Sequence, residues 1–273
     1  MVRRGTRRLR RAVVVLLCGL PTAAAGAVLV DVDAVDRTAT GRAYAGAHAQ
    51  ASAVGPAQEV AVREDPAAHG APRPRIVPRS AWLDPAARRV QPPPRYDDKV
   101  VAVFVHHTDS PNGYSCADTP SIIRHLYDGQ TGARSWDDIG YNFLVDRCGT
   151  IYEGRAGGVE RAVTGAHTQG FNHRTAGIAA IGTFTAGTPV PRALTDAIAA
   201  LAAWKLGLAG VDPRGSVALV SSNRLSRYAA GTTALLPALG GHTEGFRTNC
   251  PGAALTVRLP AIRAAAARLQ GRS

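Results

Sequence analysis

Eight positions separate an imidazole from a thiol in Gly241-His242-Thr243-Glu244-Gly245-Phe246-Arg247-Thr248-Asn249-Cys250-Pro251-Gly252. Glycine and proline punctuate the segment, so it reads as a loop. A loop can aim both side chains at one point, and both groups bind zinc. Two ligands do not make a site. The third candidate lies in His106-His107, which closes the run Val100 to Val105, the most hydrophobic strand-like stretch beyond the N-terminal thirty residues. His106, His242 and Cys250 would form a three-ligand set with a fourth position open, the arrangement of a catalytic zinc. His106 and His107 point to opposite faces of a strand, and periodicity does not say which one faces the site.

Other polar residues carry two readings each. Tyr141, in Trp136-Asp137-Asp138-Ile139-Gly140-Tyr141-Asn142-Phe143, is either a packed ring with a bonded hydroxyl or a donor to a developing oxyanion. Thr248 is either a turn residue bonding its own backbone or a second hydroxyl at the site. His167, in Gly165-Ala166-His167-Thr168, is either an exposed loop residue or a substrate contact.

The elements that must position these residues follow from pattern. Val100 to Val105 is apolar on both faces and reads as a central strand. Thr119-Pro120 starts a helix that runs through Ile122, Ile123 and Leu126 and stops near Gly129. Tyr141 to Asp146 and Thr150 to Glu153 form a hairpin turning at Arg147-Cys148-Gly149. Gly177 to Gly182 is a short buried strand. Pro191 to Leu206 is an amphipathic helix with Leu194, Ile198 and Leu201 on one stripe and Gly207 as its stop. Leu259 to Leu269 is a final helix. Val211 to Ala238 reads as irregular. Strands mixed with helices predict an α/β domain, a central sheet covered on both sides.

The chain has 273 residues and a formal net charge of +12. Six of those charges are Arg3, Arg4, Arg7, Arg8, Arg10 and Arg11, and no acid lies in the first thirty residues. Ala12 to Leu20 is a short apolar run, and Thr22 to Ala27 offers small-residue cleavage sites. Residues 1–30 therefore read as an export segment, either a cleaved signal peptide or an uncleaved membrane anchor. Residues 31–74 are rich in Ala, Gly, Val and Pro and read as a poorly ordered linker, with one ordered domain over 75–273. No basic run interleaved with aromatics appears, which argues against nucleic acid. Export leaves Cys116, Cys148 and Cys250 in an oxidising compartment. The economical assignment pairs Cys116 with Cys148 and keeps Cys250 as the metal thiolate; the other is that all three are free and buried.

Taken together these residues resemble the zinc-dependent N-acetylmuramoyl-L-alanine amidases of the type 2 amidase and peptidoglycan recognition protein family. The matching blocks, in the family's order, are Val105-His106-His107-Thr108, Asp138-Ile139-Gly140-Tyr141-Asn142-Phe143, Tyr152-Glu153-Gly154-Arg155, Gly165-Ala166-His167-Thr168, Gly177-Ile178-Ala179 and Thr248-Asn249-Cys250-Pro251-Gly252. The stretch from His106 through Val163 is similar to exported actinobacterial members, including cysteines placed like Cys116 and Cys148.

The resemblance implies a single domain with a central mixed β-sheet, helices on both faces and one zinc. It implies His106, His242 and Cys250 as the metal ligands, with His107 behind them, and Tyr141 and Thr248 as the catalytic pair. His167, Thr168, Arg155 and Asn172 are the substrate contacts it implies. It further implies peptidoglycan as the partner; with the export segment read over 1–30, the expectation is a secreted or envelope-bound monomer, held at a membrane by its N-terminus where that segment stays uncleaved. The alternatives are a non-catalytic recognition protein of the same fold and a structural envelope protein. Two departures stand out. Gly241-His242-Thr243-Glu244 replaces the usual Gly-His-Arg-Asp, and the Asp128-Gly129-Gln130 region stands where many members carry a histidine. Neither changes a ligand.

Overall fold

Ala102–His107 and Thr175–Ala180 are short runs of small and branched apolar residues, and each is buried along almost its whole length. Such runs pair as the centre of a sheet covered on both faces. In the computed structural model, which describes residues 69–273, they do so in parallel. The described residues belong to one compact unit, Val60–Ser273. The leader expected over 1–30 and most of the linker expected over 31–74 lie outside them. Among the described residues no helix is long and apolar enough to cross a membrane.

The strands in chain order are β1 (Ile76–Val77), β2 (Ala102–His107), β3 (Phe143–Val145), β4 (Ile151–Glu153), β5 (Thr175–Ala180), β6 (Ser216–Val220), β7 (Thr233–Pro237) and β8 (Leu239–Gly241). The helices are α1 (Thr119–Asp128), α2 (Arg192–Gly207), the single turn α3 (Ala253–Thr256) and α4 (Leu259–Leu269). The main sheet has the order β1-β4-β3-β5-β2-β8. It is mixed, because β3 and β4 form the expected hairpin and pair antiparallel while every other pair is parallel.

One face is covered by α2 and α4, whose Leu194, Ile198, Leu201 and Ile262 pack with Val103, Val105, Val145 and Ile178. The other face is covered in two parts. On one side Ile123 and Tyr127 of α1 pack with Leu144 and Ala179. On the other, Leu219, Ala234 and Leu236 pack on Ala102 and Phe104. His106 shares the face of Ala102 and Phe104 by strand alternation.

Those last contacts come from 211–238, the segment expected to be irregular. It is an antiparallel hairpin, β6–β7, with Ala218 opposite Leu235. Its burial alternates, but its outward positions Val220 and Leu235 are also aliphatic. The hydropathy pattern that announces a half-buried strand is therefore missing. Residues 69–74, expected in the linker, are packed with the domain: Ala71 lies against the core and Arg73 pairs with Glu160 at 2.7 Å. The helix expected to stop near Gly129 ends at Asp128 and continues as one π turn, Gly129–Ala133.

Cys116 and Cys148 form a disulfide, with their Cα atoms 6.3 Å apart. It ties the entry of α1 to the β3–β4 turn. Buried Asp146 reinforces the same junction, accepting from Cys148 N (2.9 Å), Thr150 N (2.8 Å) and Thr119 Oγ1 (3.2 Å). The bridged residues are 32 apart in sequence, and chain entropy assigns such a loop about 3–4 kcal/mol of stability. Reduction is expected to lower the unfolding free energy by that amount in a denaturant titration, with far-ultraviolet dichroism retained before the transition.

Candidate metal centre

Strand register explains why residues far apart in sequence meet. β8 pairs with β2, placing Gly241 beside Val105. The next residue on each strand is then a histidine, His242 beside His106, and their ring centroids are 4.3 Å apart. Cys250 returns from the loop beyond β8. Its Sγ lies 3.8 Å from His106 Nδ1 and accepts the His107 N–H at 3.2 Å. The structure thus chooses between the paired histidines. His106 is fully buried at the cluster, while His107 contributes its backbone to the thiol.

One donor atom from each of His106, His242 and Cys250 lies within 4.8 Å of the other two. Zinc bonds of about 2.0–2.1 Å to nitrogen and 2.3 Å to sulfur put tetrahedral ligand atoms roughly 3.3–3.8 Å apart. The donor set and its spacing fit that ion after small adjustments of the side chains. A second grouping of Cys116, Asp146 and Cys148 offers no thiolate, because its sulfurs are bonded to each other.

Burial sets the protonation of the centre. It holds the His106 imidazole well below its usual pKa, with repulsion from His242 adding to the effect. Burial lowers His242 to about 4 and His167 to about 3. It pushes the Cys250 thiol up to about 12. The metal-free centre therefore carries neutral imidazoles and a protonated thiol at neutral pH. The Tyr141 phenol is raised above its ordinary range by burial and then by the neighbouring Cys250, so it keeps its proton.

Each functional side chain has its own support. The Tyr141 ring lies 5.3 Å from the His106 ring. Its loop is pinned by Gln130 Oε1, which accepts Gly140 N–H at 2.9 Å, and by Ala166 N–H donating to Gly140 O at 2.9 Å. A Cβ on Gly140 would come within 2.5 Å of the Ala166 oxygen. Buried Asp138 anchors the same loop, accepting from Ala156 N at 2.7 Å and pairing with Arg79 at 3.1 Å. The turn that carries His242 is held by the loop of the β6–β7 hairpin. Arg227 donates from its backbone to Gly245 O (2.9 Å) and from Nη1 to Thr243 O (2.8 Å). Phe246 stacks on the His242 ring at 5.4 Å. Thr248 Oγ1 accepts the Cys250 N–H at 3.1 Å, which is the turn role, and its own proton remains available to donate. Tyr141, His242 and Thr248 are half-buried and mark the open side of the centre.

The four residues expected to contact substrate separate. His167 is 6% exposed and Thr168 fully buried, so both stand behind His106 rather than on a binding surface. His167 Nδ1 lies 3.2 Å from His106 Nε2. Asn172 Oδ1 accepts from His167 N (2.9 Å) and Thr168 N (2.8 Å), which makes it the brace of that turn. Arg155 donates to Ile139 O at 3.3 Å and lines a cleft of about 520 Å³ walled by Pro85, Arg88 to Arg95, Asp137 and Ala156. That cleft contains none of the three donor residues. The supports Gln130, Arg79 and Arg227 were missed. Asp138 and Asn142 stood inside a quoted block, and Asn142 bridges Val163 O (2.8 Å) and Gly177 N (2.9 Å).

Residues 96–253 match the family profile described as N-acetylmuramoyl-L-alanine amidase. The chain is 37% identical over 119 residues to peptidoglycan-recognition protein LE of Drosophila melanogaster, covering 44% of this chain and 33% of that protein. It is 33% identical over 190 residues to the N-acetylmuramoyl-L-alanine amidase of Mus musculus, covering 67% of this chain and 29% of that protein. The chain thus spans about a third of the length of these relatives. Among solved structures it is similar to peptidoglycan recognition protein LE in complex with tracheal cytotoxin, a monomeric diaminopimelic acid-type peptidoglycan. That likeness has a TM-score of 0.52 at 27% identity, over 68% of this chain and 92% of the other.

Proposed function

The chain belongs to the N-acetylmuramoyl-L-alanine amidase family, and from that premise we propose that it is a zinc-dependent amidase hydrolysing the bond between N-acetylmuramic acid and L-alanine in peptidoglycan. The observation that carries this reading is the complete donor set of His106, His242 and Cys250 beside the Tyr141 ring. Recognition proteins that only bind need no such set. Zinc held there would supply a Lewis acid for the amide carbonyl and lower the pKa of water toward neutrality.

The chain's own groups account for the rest. Tyr141 keeps its phenolic proton and acts as a hydrogen-bond donor to the oxyanion that develops on the carbonyl oxygen. Thr248 donates its remaining proton from the open side while its oxygen holds the Cys250 turn. Asp138, Gln130 and Asn142 keep the Tyr141 loop from moving. The proposed setting is the envelope outside the cytoplasm, reached through the leader at 1–30, with the domain acting as a monomer.

Digestion of purified peptidoglycan by the full chain, with and without chelator, tests the activity. Mass spectrometry should find free stem peptides beginning at L-alanine, lost on chelation. Muropeptides that bind but stay intact would instead assign a recognition role.

A second expected result concerns metal uptake. At neutral pH the imidazoles are already neutral, and only the thiol proton must leave when zinc binds. Near pH 6, below the range where zinc-bound water would ionise, apparent zinc affinity should therefore rise about tenfold per pH unit, with one proton released per metal. Calorimetry in buffers of different ionisation enthalpy measures that number. Two or three protons near pH 6 would mean that the imidazoles are charged in the metal-free protein.

A further inference from the structure

His167 has no part in the chemistry above, yet it is among the most constrained side chains in the molecule. Its side chain packs against Gly177, where a Cβ would come within 2.4 Å of its Cγ. Its hydrogen bonds have a readable direction. Thr175 Oγ1 is 2.6 Å from the Phe171 carbonyl oxygen, which can only accept, so the Thr175 proton is committed there. The same Oγ1 faces His167 Nε2 at 3.4 Å and is left to accept, so Nε2 carries the hydrogen of that neutral ring. His167 Nδ1 is then a lone pair. It faces His106 Nε2 at 3.2 Å, and that nitrogen must donate. His106 Nδ1 is left unprotonated, and it is the atom 3.8 Å from Cys250 Sγ. The Thr168 hydroxyl, 3.0 Å from His167 Nδ1 and 3.4 Å from His106 Nε2, fits the same proton order.

We propose that His167 is a positioning residue: through Thr175 and the Phe171 carbonyl it fixes His106 as the tautomer protonated on Nε2 and so presents Nδ1 to the metal. The last step rests on the zinc reading above. The tautomer itself is a property of the metal-free protein. The relay is rigid at its far end, because Phe171 N–H donates to Thr168 O at 2.8 Å and the Phe171 ring packs edge-on against Tyr228. Partners of this kind behind a metal-binding histidine are worth about 10- to 100-fold in metal affinity.

The test is long-range proton–nitrogen NMR on the metal-free full chain with labelled histidine, alongside zinc titrations against a competing chelator. His106 and His167 should both be protonated on Nε2. Thr175→Val, which removes the hydroxyl, should mix the His106 tautomers and weaken zinc binding about tenfold. Thr175→Ser, which keeps the hydroxyl, should behave as wild type. His167→Phe should weaken zinc 10- to 100-fold, and His167→Asn, whose carbonyl oxygen stands near the Nδ1 position, should recover most of the loss. His106 protonated on Nδ1 in the wild type, or Thr175→Val with unchanged tautomers and affinity, would overturn the proposal. A variant that fails to fold leaves the wild-type spectrum to decide. Wild-type protein with the stated tautomers but no zinc affinity would sink the metal reading and leave the relay standing.

Discussion

Replacing Cys250 with alanine is expected to empty the metal centre and abolish amide hydrolysis while leaving the domain folded. In the proposed centre three residues would hold the metal, and the Cys250 thiolate would be the only anionic one among them. Structural zinc binding of about 10–16 kcal/mol over four ligands is roughly 2.5–4 kcal/mol per ligand, or about 10²- to 10³-fold in affinity. The cost to the fold is smaller. The thiol accepts one backbone hydrogen bond, from His107 at 3.2 Å. Leaving that N–H without a partner costs about 1–3 kcal/mol, against a typical domain stability of about 5–15 kcal/mol. Metal analysis of the purified variant should find less than a tenth of an equivalent of zinc, taking the loss as about 10²- to 10³-fold, and thermal unfolding should stay cooperative. Full zinc occupancy with alanine at 250 would show that another residue completes the set, and His107, whose Nδ1 is buried without a hydrogen-bond partner, would be the one to examine.

Tyr141→Phe is expected to lower kcat by about 10²- to 10³-fold, the usual cost of one oxyanion donor, with KM and zinc content nearly unchanged. The substitution keeps the ring and its 5.3 Å contact with His106 and removes only the hydroxyl. The hydroxyl is held protonated by burial and by Cys250, so its loss removes a donor rather than a base. The pH–rate profile should therefore keep its shape while falling in height. A fall in zinc content instead would assign Tyr141 to holding the centre. A rate within threefold of wild type would pass the donor role to Thr248, which stands on the same open side.

Much of this chain was legible before any coordinates. The apolar run at Val100 to Val105, the Thr119-Pro120 helix start and the 259–269 stripe are local signals, set by side-chain period and proline geometry. The tight turn around Arg147-Cys148-Gly149 joins β3 to β4 as expected, because turn chemistry is also local. The residue types of the candidate donor set were readable too, since an imidazole and a thiol eight positions apart on a loop, with a histidine at a strand end, are groups that bind zinc. The pairing of Cys116 with Cys148 was the economical assignment on the expectation of export, and the structure has it.

What the tertiary structure decided was anything that depends on two distant segments meeting. Alternation says that His106 and His107 face opposite ways, but only the pairing of Gly241 with Val105 says which one meets His242. The β6–β7 hairpin was hidden because its outward positions are as aliphatic as its inward ones, so no period of two shows in the residues themselves. His167 and Thr168 were expected at a substrate surface because the family resemblance places that block there. Both are buried, His167 against Gly177 and Thr168 beneath Gly245, and this packs them behind His106. The sequence determined which groups could do the chemistry. The register of two parallel strands and the burial of one turn decided which of them meet at one centre, because hydrogen-bond direction and solvent exclusion exist only once the chain has closed on itself.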